Sequence, residues 1–139
     1  MILFVCTGNT CRSPMAEALY NSITGKDAIS AGLSTAYNGK ASEHSVSVMA
    51  KRGIDISNHI SKQLDFSMLE EADAIITMTE TQRTMLLYSA PEFARKIFTI
   101  KEWAGKSGDV SDPFGRSEEV YEECAKELEE LIREGEKLH

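Results

Sequence analysis

The chain has little that would staple, repeat or anchor it. Three cysteines in 139 residues are few and odd in number, which excludes a disulfide framework. Three prolines and no biased tract exclude linker and collagen-like architectures. No internal repeat is present, so a solenoid is excluded as well. No apolar run reaches the length of a transmembrane span. The opening run Ile2-Leu3-Phe4-Val5 is too short for a signal peptide and lacks a basic flank. A cytoplasmic location is the default expectation. Basic residues are outnumbered, 15 against 22 acidic ones, for a formal net charge of −7. That disfavours nucleic-acid and membrane partners. His44, His59 and His139 show no metal-ligand spacing with one another or with cysteine. Neither a metal nor a cofactor is expected.

What is present suits one globular domain spanning 1–139. Short apolar segments at Ile2–Cys6, Ala28–Ala31, Ala74–Met78 and Lys96–Ile100 read as strands of a parallel sheet covered on both faces. Helical segments alternate with them. One runs from Pro14 to about Ile23, and another from Glu43 to Arg52 with Gly53 as its stop. Ser67-x-x-Glu70 and Thr79-x-x-Gln82 fit capping boxes. Val120, Cys124, Leu128, Leu131 and Ile132 share one face of a last helix, opposite a dense acidic face. The fold class expected is α/β: a single three-layer domain with a central parallel sheet of about four strands and helices on both faces. Ligands in such sheets bind at the carboxyl ends of the strands.

The chemistry concentrates in Cys6-Thr7-Gly8-Asn9-Thr10-Cys11-Arg12-Ser13. This stretch leaves the carboxyl end of the first strand and enters a helix, with Ser13 read as N-cap and Pro14 as first helical residue. Backbone N–H groups of such a loop converge on a tetrahedral oxyanion. Gly8 and Asn9 tolerate the positive φ the loop requires. Arg12 supplies a planar fork for two phosphate oxygens. Helix dipole, loop N–H groups and guanidinium all favour thiolate over thiol at Cys6, and the Ser13 hydroxyl is within reach of the sulfur. A thiolate beneath a bound phosphate is set for in-line attack on phosphorus.

Cys-x5-Arg-Ser, in the fuller form Cys6-x-Gly8-Asn9-x-Cys11-Arg12-Ser13-Pro14 near the start of the sequence, resembles the low-molecular-weight protein tyrosine phosphatase family. Asp112-Pro113-Phe114, Ser30-Ala31-Gly32, Gly39-Lys40-Ala41 and Ala72-Asp73 match further family segments. The resemblance spans nearly the whole chain. It implies that Cys6 is the nucleophile, that Arg12 is the oxyanion clamp, and that residues Thr7 to Ser13 form the phosphate-binding loop. It also implies that Asp112 protonates the leaving group and then acts as base on water. Asp109, three residues earlier, is the rival acid.

Thr10 stands where tyrosine-type members carry a branched aliphatic residue, and Phe114 where they carry tyrosine. Both features resemble the protein arginine phosphatase branch. A phenyl leaving group favours apolar walls and stacking. A phosphoguanidinium is planar and polar, and favours acceptors. Phosphoarginine on proteins is therefore the first substrate, with phosphotyrosine the alternative. Thr10, Tyr37 and Phe114 are the candidate specificity residues, although Tyr37 reads equally well as a surface tyrosine. Inorganic phosphate is the expected product and inhibitor. Cys11 is either a packed residue under the loop or a redox partner of Cys6. Cys124 reads as core. Lys40 is a candidate for a locally positive field. Arsenate reduction needs further redox cysteines and is remote. A non-enzymatic phosphate-binding module is remote for the opposite reason, because every catalytic residue is present.

Overall fold

The computed structural model describes residues 1–35 and 39–139. Four strands, β1 (Ile2–Cys6), β2 (Ala28–Gly32), β3 (Ala74–Thr77) and β4 (Ile97–Thr99), form one sheet in the order β2-β1-β3-β4. Every pairing is parallel. The chain steps from β1 to β2 on one side and then crosses to β3 on the other. The order reverses at β1, so the topological switch of the sheet lies at the strand that carries Cys6.

Side chains alternate across the sheet, and this alternation divides the core. Ile2, Phe4 and Cys6 of β1 pack on one face with Met15 and Leu19 of α1 (Arg12–Thr24). Leu128, Leu131 and Ile132 of α6 (Glu118–Leu138) join them. Leu3 and Val5 face the other way, against Leu69 of α3 (Phe66–Glu71) and Leu86 of α4 (Glu80–Ser89). Helix α2 (Glu43–Ala50) packs on α6, and α5 (Ile100–Trp103) is a single turn after β4. The three-layer α/β arrangement expected from the sequence is the one observed.

The local differences have identifiable causes. Helix α1 begins at Arg12, and Cys11 holds its N-cap place without a side-chain bond. Ser13 is therefore not the cap, and its hydroxyl points into the loop instead. The cap of α3 is Asp65, whose carboxylate accepts from Met68 N; the box at Ser67 is not used. Thr79 and Gln82 form the expected reciprocal box on α4. A second such box, Thr99 with Glu102, ends β4 early and starts α5. On α6 the buried face takes Tyr121, while Val120 is half-buried. Its acidic face pairs with cations from around the molecule: Lys51 with Glu118, Arg52 with Glu122 and Glu129, and Lys106 with Glu134.

Candidate active site

The loop after β1 is built around Asn9. It is the one non-glycine residue with positive φ among those described, at 56°; Gly8, also expected in that region, is not in it. Asparagine adopts this conformation more readily than most residues, and every polar group of Asn9 is engaged. Its Nδ2 donates to Ser13 Oγ at 2.8 Å and to Ser30 Oγ at 3.0 Å. Its Oδ1 accepts from Lys62 N at 3.0 Å. Its carbonyl accepts from Ser61 Oγ at 3.1 Å and from His59 Nε2 at 3.0 Å. A carbonyl only accepts, so His59 carries its proton on Nε2 here.

These bonds converge on Cys6. The Asn9 backbone N–H points at Cys6 Sγ over 3.3 Å, and Ser13 Oγ lies 2.8 Å from the same sulfur. A thiolate has no proton to give, so with Cys6 ionised the Ser13 hydroxyl is the donor in this pair. The sulfur is buried at the floor of a cleft of about 210 Å³. The walls are Thr7, Gly8, Thr10 and Cys11 of the loop and Arg12 at the start of α1, with Asp112 and Phe114 opposite. Asn9 and Ser13 are fully buried behind this wall and act as its frame.

Gly32 at the end of β2 permits the loop to lie where it does. A Cβ there would stand 2.8 Å from Thr7 O and 3.1 Å from Gly8 C. Leu33 N and Ser34 N, immediately after it, donate to Cys6 O and Thr7 O. From the other flank Gln82 Nε2 donates to Thr7 Oγ1 at 3.2 Å.

Arg12 is buried, in the first turn of α1, where its charge opposes the helix dipole. Its Nη1 donates to Val110 O at 2.8 Å, and its Nη2 lies 3.7 Å from Asp112 Oδ2. The other carboxylate oxygen of Asp112 accepts from Phe114 N at 3.0 Å, the local turn an Asp-Pro sequence favours. Phe114 is 69% exposed at the mouth. Asp109 does not line the cleft; its Oδ1 accepts from Glu80 N at 2.8 Å. Lys40 lines an adjoining hollow that shares Gly8 and Thr10 with the cleft. Tyr37 lies outside the described residues.

The remaining cysteines differ from Cys6. Cys11 Sγ lies 3.3 Å from Tyr121 Oη. Burial first, and that contact second, push the Tyr121 phenol up to about 12. Cys124 sits on the buried face of α6, where burial pushes its thiol up to about 12. Of the histidines, His44 packs against Tyr121 with its ring tilted by 52° and lies 3.9 Å from Glu118, and His139 stacks on Trp103. No cluster of three or more metal-ligating side chains occurs among the described residues. None of their helices is long and apolar enough to cross a membrane.

Sequence reasoning identified the residues of the cleft but missed most of its supports. Ser30, Ser61, His59 and Lys62 reach Asn9 from segments 21 to 53 residues away. Gln82 carried a local signal as the fourth residue of a capping box, but nothing in that box pointed to Thr7.

The comparisons with known proteins agree with this geometry. The protein-arginine-phosphatase of Bacillus subtilis (strain 168) is 42% identical over 139 residues, covering 96% of this chain and 92% of that protein. The crystal structure of a low molecular weight protein tyrosine phosphatase from T. tengcongensis superposes with a TM-score of 0.95 at 45% identity, covering 99% and 98% of the two chains. A YwlE arginine phosphatase whose active-site cysteine is replaced by a phosphorylated serine superposes with a TM-score of 0.93 at 40% identity, covering 99% and 94%. The family profile described as low molecular weight phosphotyrosine protein phosphatase matches residues 1–136. The chain belongs to that family.

Proposed function

We propose that this protein hydrolyses phosphoarginine on proteins through a cysteinyl-phosphate intermediate, with Cys6 as nucleophile. The observation that carries the reading is the convergence on one sulfur. Ser13 Oγ and Asn9 N both address Cys6 Sγ, and Arg12 and Asp112 share its cleft. The Cys6 thiolate attacks phosphorus in line, and the bond from phosphorus to the guanidine nitrogen breaks. Asp112 gives its proton to the departing nitrogen. Arg12 and the loop N–H groups carry the charge on the transferring oxygens. Water then attacks phosphorus as Asp112 takes its proton, the sulfur–phosphorus bond breaks to return the Cys6 thiolate, and inorganic phosphate leaves. Free phosphate fits the same loop and inhibits competitively. The thiolate chemistry calls for a reducing compartment, which is why we place the enzyme in the cytoplasm.

The substrate class rests on the walls. Thr10 and Asp112 offer oxygen acceptors to a planar, polar leaving group. Phe114 is the one aromatic lining the cleft among the described residues, and it is largely exposed. Relatives named for each activity share the fold, so phosphotyrosine remains the second substrate. The deciding assay compares kcat/KM on phosphoarginine and phosphotyrosine peptides for the parent and Thr10→Ile. The parent favours phosphoarginine, and the variant moves the ratio toward phosphotyrosine by about tenfold. An unchanged ratio removes Thr10 as discriminator. A parent inactive on both substrates ends the reading.

A further inference from the structure

The segment joining α5 to α6 carries Asp112, and its tethers lie in the residues just ahead of that carboxylate. Asp109 Oδ1 accepts from the backbone N–H of Glu80 at 2.8 Å. Glu80 is the first residue of α4, so its N–H has no partner within the helix. Val110 N donates to Met78 O at 3.0 Å, and Val110 O accepts from Arg12 Nη1 at 2.8 Å. The Val110 side chain is fully buried. On the same first turn of α4, Gln82 reaches the nucleophile's loop at Thr7. That turn therefore brackets both loops: Gln82 holds the one that presents Cys6, and Asp109 holds the one that presents Asp112.

Asp109 is exposed and does not line the cleft. It touches neither the sulfur nor the place of a bound phosphate. We propose that Asp109 is a positioning residue for proton transfer: by closing the open N-terminus of α4 from outside, it fixes how far Asp112 reaches toward the leaving atom. This inference rests on Asp112 being the acid. The role needs an acceptor oxygen at position 109 and no proton there. An amide oxygen in the same place serves almost as well, short of the small gain a full negative charge draws from the helix dipole.

The test uses two aryl phosphates that differ in their need for protonation. Phenyl phosphate needs an acid to leave, and 2,4-dinitrophenyl phosphate does not. In both cases kcat/KM reports the first chemical step. Asp109→Ala is expected to lower kcat/KM on phenyl phosphate about tenfold, the scale of a small misplacement of a catalytic group. On 2,4-dinitrophenyl phosphate, and in inhibition by inorganic phosphate, it stays within about twofold of the parent. Asp109→Asn restores phenyl phosphate turnover to within about threefold of the parent. Equal losses on both esters would mean general loop damage and overturn the inference. So would Asp109→Ala matching the parent. Asp109→Asn failing as badly as Asp109→Ala would make the proton of Asp109 the active element, and overturns it too. Asp112→Asn, run alongside, separates the two levels: if it spares phenyl phosphate, the acid assignment falls, and the positioning role with it.

Discussion

Arg12 and Asp112 face each other across 3.7 Å, and both are anchored by the segment that carries Asp112. Val110, two residues ahead of Asp112, accepts from Nη1, and Phe114 N fixes the carboxylate. The guanidinium is thus aimed before any phosphate arrives, which is how preorganised charge acts on a transition state. Lysine would keep the charge but lose the fork and its Val110 anchor. Arg12→Lys is expected to lower kcat by about a hundredfold or more, the scale of removing one oxyanion donor. Phosphate inhibition weakens in parallel. A variant within a few-fold of the parent in both measurements would show that point charge suffices.

Cys6 and Cys124 are both buried thiols, but their surroundings oppose each other. Asn9 N donates to the Cys6 sulfur, and the Ser13 hydroxyl lies 2.8 Å from it, placed to donate to a thiolate. Cys124 lies in apolar surroundings that disfavour its charged form, so it is a neutral thiol at pH 7. Iodoacetate at pH 7 is therefore expected to modify Cys6 and spare Cys124, with inorganic phosphate protecting Cys6. Peptide mapping by mass spectrometry reads both sites at once. Ser13→Ala removes a donor and slows Cys6 labelling. Labelling of Cys124 ahead of Cys6, or no protection by phosphate, contradicts the arrangement.

The sheet was legible in the sequence because its strands are short apolar runs between turn signals. The cleft was legible because Cys6, Arg12 and Ser13 lie within one short stretch of sequence. The rest depends on contacts distant in sequence. Ser13 looks like a cap by its place before Pro14, but the pull of Cys6 and Asn9 on its hydroxyl overrides that local preference. Ser67 lost to Asp65 because two acceptors competed for one helix start. Asp109 and Asp112 are indistinguishable as loop aspartates until α4 is seen to claim one and Arg12 to face the other.

Two glycines should fail in different ways when given a methyl group. At Gly135 a Cβ would lie 2.0 Å from Trp103 Cζ3, so α6 must move off α5. Gly135→Ala is expected to cost about 3 kcal/mol of stability, the upper range for overpacking. At Gly32 the obstruction is the Thr35 side chain at 2.7 Å, which can turn aside, and the backbone of Thr7 and Gly8, which cannot, so the distortion enters the loop after β1. Gly32→Ala then loses phosphate affinity out of proportion to any fall in stability. Urea unfolding beside phosphate inhibition separates them. Phosphate affinity untouched in Gly32→Ala would mean that the loop accommodates the methyl group elsewhere.

Cys11 contributes to the same cleft wall as Cys6, with its sulfur against Tyr121 Oη at 3.3 Å and Ser42 Oγ at 3.6 Å. Burial keeps the Tyr121 phenol protonated at neutral pH. Peroxide oxidises the Cys6 thiolate to a sulfenic acid and is itself reduced to water. If Cys11 is the redox partner of Cys6, its thiol then condenses with the sulfenic acid, forming the disulfide and releasing a second water. A dithiol reverses this. On that reading the Cys11→Ser variant lacks the resolving thiol, and its sulfenic acid passes on to sulfinic acid, which dithiols do not reduce. After a peroxide pulse, the parent is expected to regain most of its activity in dithiothreitol, and Cys11→Ser only a minor fraction. Intact-mass measurement should find two hydrogens lost in the parent and two oxygens gained in the variant. Equal recovery in both would leave Cys11 as a packing residue against Tyr121 and nothing more.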